Sequence, residues 1–161
     1  MSENNPMIEV VRLQELAELL REAGYRTNET EQNGVKQLLS ASQGIGFALR
    51  PGNAASEPDA LLDFTLSCAL RIQGELPDTT VGTWNQTKRF SRLSRHGDFL
   101  VLEMDVIVAG GVGQAHLRAS IELWDRLLQE FLLYLRNQHG AGSGSSETDQ
   151  AAAREQQTDQ A

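Results

Sequence analysis

Between Leu62 and Ile72 apolar and polar side chains alternate without a break. Leu62, Phe64, Leu66, Cys68, Leu70 and Ile72 fall on one side, and Asp63, Thr65, Ser67, Ala69 and Arg71 on the other. Period 2 over this length predicts a strand with one buried face and one face open to water. That pattern belongs to an antiparallel sheet covered on a single side. A second such run is Phe99–Val108, where Leu100, Leu102, Met104, Val106 and Val108 share a face opposite Glu103 and Asp105. A turn at Gly97-Asp98 pairs it with a strand over Ser91–His96. Weaker strand signals lie at 25–30 and 35–41, flanking the hairpin dipeptide Asn33-Gly34, and at 45–50, where Ile45, Phe47 and Leu49 alternate. Pro51–Asp59 has the composition of an exposed loop.

Helical spacing appears in three places. The first predicted helix runs from Pro6 to Ala23, capped by Asn5 and stopped by Gly24, with Leu13, Leu16, Leu20 and Ala23 on one face. Pro77-Asp78 opens a second, over about 78–90, that contains Trp84 and Phe90. The third, over about 114–137, carries Leu117, Ile121, Trp124, Leu128, Phe131 and Leu135 at helical intervals, widened by Leu127, Leu132 and Tyr134. The order reads α, three or four strands, α, β, β, α, condensed as α-β-β-β-α-β-β-α. This is an α+β chain with helices packed on a single antiparallel sheet, not the regular alternation of a doubly wound parallel fold.

Composition narrows the picture. The chain has 161 residues and a net charge of −8. Its length suits one domain, placed at 1–138. Residues 139–161 contain no large apolar side chain and read as a disordered acidic low-complexity tail. The acidic balance argues against nucleic acid, whose phosphates demand cations, and no apolar run is long enough for a membrane span. The N-terminus is acidic and amphipathic, unlike a targeting leader, so the expected place is the cytoplasm. One cysteine, Cys68, excludes an internal disulfide; on the apolar face of its strand it is read as core.

Candidate chemistry is sparse. Gly110-Gly111-Val112-Gly113 lies between a strand and a helix, but the spacing fits neither the dinucleotide fingerprint nor the P-loop. His96, His116 and His139 have no ligand spacing, so no metal is expected. Glu103 and Asp105 point to one face and could share a proton or hold a cation, or they could simply lie on the wet side. No cofactor is expected. The most unusual feature is a basic island: Thr79–Gly97 holds no acid, while Lys88, Arg89, Arg92 and Arg95 interleave with Trp84 and Phe90. Such a segment suits a charge-complementary protein interface or pairing within the subunit.

Taken together, Trp84-Asn85, Arg89-Phe90, Leu102-Glu103-Met104-Asp105 and Gly110-Gly111-Val112 ahead of the long helix resemble the YbjN family, small bacterial proteins labelled sensory transduction regulators. The resemblance covers Leu62–Leu135 best. It implies a fold like that of type III secretion chaperones, usually dimeric, and it brings no catalytic motif. The expected function is therefore a non-catalytic, chaperone-like binding or regulatory protein. It would act as a homodimer on protein partners, through Trp84, Asn85, Lys88, Arg89, Arg92 and Arg95. The alternative is a small-ligand or metal-binding sensor or enzyme using Glu103, Asp105 and the Gly110–Gly113 turn.

Overall fold

The computed structural model describes residues 7–143. Its elements are α1 (Leu13–Glu22), β1 (Asn28–Gln32), β2 (Val35–Ser42), β3 (Ile45–Pro51), β4 (Asp63–Arg71), α2 (Thr80–Thr87), β5 (Arg92–His96), β6 (Phe99–Ile107) and α3 (Gln114–Ser143). Four strands precede α2, the longer of the two counts that the hydrophobic pattern allows. All six strands form one antiparallel sheet in the order β1-β2-β3-β4-β6-β5.

The first hairpins are made by turn chemistry. Asn33 and Gly34 both have positive φ, at 53° and 80°, and Gln43 and Gly44 repeat the arrangement at 50° and 84°. Two consecutive left-handed residues match the twist of the flanking strands. The dipeptide Asn33-Gly34 announces its turn; Gln43-Gly44 is an equivalent that a search for Asn-Gly or Asp-Gly passes over.

The expected alternation governs burial. Phe64, Leu66, Cys68 and Leu70 of β4 and Leu100, Leu102, Met104 and Val106 of β6 are buried, joined by Ile45, Phe47 and Leu49 of β3. The helices cover this face. In α3, Leu117, Ile121, Trp124, Leu128 and Phe131 are buried along the predicted stripe, and Leu127 with them. Trp124 meets Phe47 edge to face at 5.9 Å, while Trp84 of α2 meets Phe131 at 5.5 Å and Tyr134 at 5.2 Å. The wide apolar flank of α3 is thus taken up by α2 and the sheet. Burial also pushes the Cys68 thiol up to about 12, which fits its reading as a core residue.

Both terminal helices depart from the sequence pattern. α1 begins at Leu13, not Pro6, because Ile8 bridges to Val112 and Val11 to Leu61 in extended conformation. Ile8, Val10 and Val11 are β-branched, and Ile8 and Val11 spend their backbone groups on these bridges, so the helix does not start there. Glu15 then accepts a bond from the Arg12 N–H at 2.8 Å, closing the first turn. Asn5 and Pro6 lie outside the described residues. Ala23 is exposed as the C-cap, and Ala17 and Leu19 join Leu16 and Leu20 in the core. α3 continues to Ser143, past the expected tail boundary at 139; residues 144–161 are outside the described set. Among the described residues no helix is long and apolar enough to cross a membrane.

Candidate functional site

α2 and β5 are bound together by the residues that looked like an interface motif. Trp84 is fully buried, and its indole N–H donates to Ser91 Oγ at 3.2 Å. Asn85 donates from Nδ2 to the Leu93 carbonyl at 2.9 Å and accepts the Leu93 N–H at 2.8 Å. Its amide therefore acts as a one-residue strand on the free side of β5, the edge of the sheet. Trp84 is a core residue, whereas Asn85 is exposed with its amide bonded to Leu93. Lys88 is also engaged: its ammonium reaches Glu130 of α3 at 3.1 Å and lies 5.5 Å from the Trp84 ring.

Arg89, Phe90 and Arg95 are exposed in this segment and, unlike Lys88 and Arg92, the two arginines form no ion pair among the described residues. Phe90 is 59% exposed and has a φ of 72°. A bulky residue there is costly and uncommon. The Arg89 guanidinium stacks over the Phe90 ring at 4.6 Å. Phe90 was expected inside the second helix. The helix instead stops at Thr87, because Lys88 turns extended and Ser91 must be placed under Trp84.

The two carboxylates of β6 do share a face, as the alternation requires, and arginines occupy them. Arg92 holds Asp105 with two bonds, 2.7 and 3.3 Å, and reaches Glu103 at 3.2 Å. Arg50 of β3 approaches Glu103 at 3.5 Å, and Thr65 donates to Asp105 at 2.7 Å. The register explains the set, since Arg92 is opposite Glu103 on β5 and Thr65 opposite Asp105 on β4. The hydrogen bond from Arg92, helped by Thr65, holds the Asp105 carboxyl below its ordinary value against the opposing effect of burial, and the bond to Asp105 in turn raises Arg92. Two positive and two negative groups make this a neutral network on the open face. Of the basic island, Arg92 is spent here, which is the pairing within the subunit that the sequence allowed.

The Gly110–Gly113 turn is elsewhere, beyond the end of β6. Gly110 and Gly111 have φ of 90° and 100°, and a Cβ on Gly111 would meet Met7 at 3.4 Å. The turn lets Val112 pair with Ile8 and redirects the chain into α3. His96 bonds to Ser94 at 2.9 Å, and His116 is exposed in the first turn of α3.

Sequence reading missed one feature of the uncovered face. Across β2, β3 and β4 its side chains are small: Ala41, Gly46, Ala48, Ser67 and Ala69 form adjoining positions of the pleat. The result is a groove of about 780 Å³, bounded at one end by Arg71 and Phe99 and at the other by Arg26. Each small residue is unremarkable alone, and only the inter-strand register puts them side by side.

A comparison with curated proteins finds no match. A family model, YbjN, described as "Putative bacterial sensory transduction regulator", matches residues 12–137, from the start of α1 through most of α3. Trp84, Asn85 and Phe90 lie within that span, as do the ion network and the groove. The chain belongs to the YbjN family.

Proposed function

We propose that this protein is a non-catalytic binding or regulatory protein that works by holding other polypeptides, with the uncovered sheet face as its working surface. The single observation that carries this reading is the asymmetry of the sheet. Three helices pack on one side, and the other offers an open groove whose small residues let another chain approach the backbone closely. The carboxylates best placed for chemistry, Glu103 and Asp105, are already neutralised by Arg50 and Arg92. Arg89, Phe90 and Arg95 supply a second exposed patch at the β5 edge. Self-association as a homodimer is part of the proposal.

The test uses the full chain. Affinity capture from bacterial lysate is compared for the native protein, Ala48→Arg and Arg89→Glu, alongside sedimentation velocity and thermal melting. A specific protein retained by the native chain and lost from Ala48→Arg, with melting unchanged, supports the reading. No retained protein, combined with melting that shifts sharply with a metal ion or nucleotide, overturns it in favour of a small-ligand sensor.

A further inference from the structure

We infer that the groove on the open face receives an extended acidic peptide segment, with its bulky apolar side chains on the small-residue floor and its carboxylates toward Arg26 and Arg71. This deepens the function proposed above and rests on it. The charge of the site is the first argument. The chain carries 22 acids against 14 cations, yet none of the residues lining the groove is Asp or Glu. Arg26 and Arg71 line it, and neither forms an ion pair among the described residues. Arg21 adds a third cation nearby through its 2.8 Å bond to Thr27, itself part of the wall. Glu103, across from Ser67 in the register, is held by two arginines and leaves this positive potential uncancelled. In a protein of net −8 a cavity free of acids is a local inversion of field that favours an anionic partner.

Shape is the second argument. Gly46, Ala48 and Ala69 give a floor without protruding side chains, and Leu39 and Phe99 stand at its margins. Such relief accepts large side chains from the occupant. The third argument is the backbone. The β1–β2 ladder ends at Asn28 opposite Leu39, so Ser40–Ser42 are paired only on the β3 side. Ser40 and Ala41 of that stretch line the groove, where their backbone is within reach of an extended chain.

The experiment is fluorescence anisotropy on the full chain with a labelled seven-residue peptide alternating glutamate with leucine or phenylalanine, and its lysine twin. At about 50 mM salt the acidic peptide is expected to bind at least about tenfold more tightly, a gap that narrows at ~300 mM. Joint Arg26→Glu and Arg71→Glu should remove that preference, and Ala48→Arg should abolish binding while melting stays unchanged. Equal binding of both peptides that is still lost in Ala48→Arg overturns the acidic preference and leaves the proposed function standing. Binding of neither peptide overturns the inference, and if no protein is captured from lysate either, the proposed function falls with it. A dimer that dissociates on the double charge reversal would show that a second copy occupies the groove, which also overturns the inference.

Discussion

The Asn85 side chain meets both backbone groups of Leu93, donating to its carbonyl at 2.9 Å and accepting its N–H at 2.8 Å. An edge strand otherwise leaves these groups to water or to another chain. Asn85→Ala removes both partners, with an expected loss of about 1–3 kcal/mol, read by urea unfolding. The Leu93 amide should also exchange its hydrogen far faster than the amides of β6. Unchanged exchange at Leu93 would mean that the bond pair does not close the edge.

The two tryptophans are equally buried but differently satisfied. Trp84 donates to Ser91, whereas the Trp124 Nε1 is buried with no hydrogen-bond partner. Replacement by Phe takes a good bond from the first and a costly orphan from the second. Trp84→Phe should therefore destabilise more than Trp124→Phe, by about 1–2 kcal/mol, as compared by denaturant midpoints at equal slope. Equal losses would show that ring volume alone sets the cost.

Phe90 makes an inverted prediction. Removing an aromatic ring usually destabilises, but this ring is mostly exposed and its backbone sits in the left-handed region. Phe90→Gly should leave thermal stability unchanged or raise it by up to about 1 kcal/mol. A loss above that size would show that the stack with Arg89 outweighs the backbone strain. A residue kept at such a position has to be explained by what it contacts, and partner capture should weaken in the same variant.

The Asp105 carboxyl is held below its ordinary 3.8 by Arg92 and Thr65. A group with a folded value below its unfolded one stabilises fully above the unfolded value, and that contribution disappears as pH falls through the folded value. Asp105→Asn should accordingly flatten the fall in stability below about pH 4. At neutral pH the change should stay under about 1 kcal/mol, since the side chain is half exposed. Unfolding midpoints measured between neutral and acid pH give the slope; a variant with the native slope would remove Asp105 from the acid response.

Local periodicity made β4, β6 and the stripe of α3 readable, because one-sided burial leaves its period in the chain itself. The start of α1 was not, since Ile8 and Val11 owe their extended form to Val112 and Leu61, which are remote in sequence. The ion network was half readable. Counting outward from the Gly97-Asp98 turn puts Arg92 opposite Glu103, but nothing local brings Arg50 to the same acid. The groove was hidden for a similar reason: Ala48, Ser67 and Ala69 become one surface only once β3 and β4 are in register. Trp84 and Asn85 stood out in the sequence as amphipathic side chains, but their hydrogen bonds to Ser91 and Leu93 depend on where the chain turns after α2 and were not readable.

The two left-handed turns at Asn33-Gly34 and Gln43-Gly44 also bear on how the molecule is made. They join β1, β2 and β3 through contacts between chain neighbours, so this meander has little loop entropy to overcome and can form early. The β4–β6 ladder must wait for α2 and β5 to be synthesised between its partners, and α3, the roof of the core, comes last. During synthesis the apolar side of β3 and β4 therefore lacks the α3 part of its roof until the ribosome has delivered almost the whole described chain, an interval in which exposed apolar surface favours aggregation.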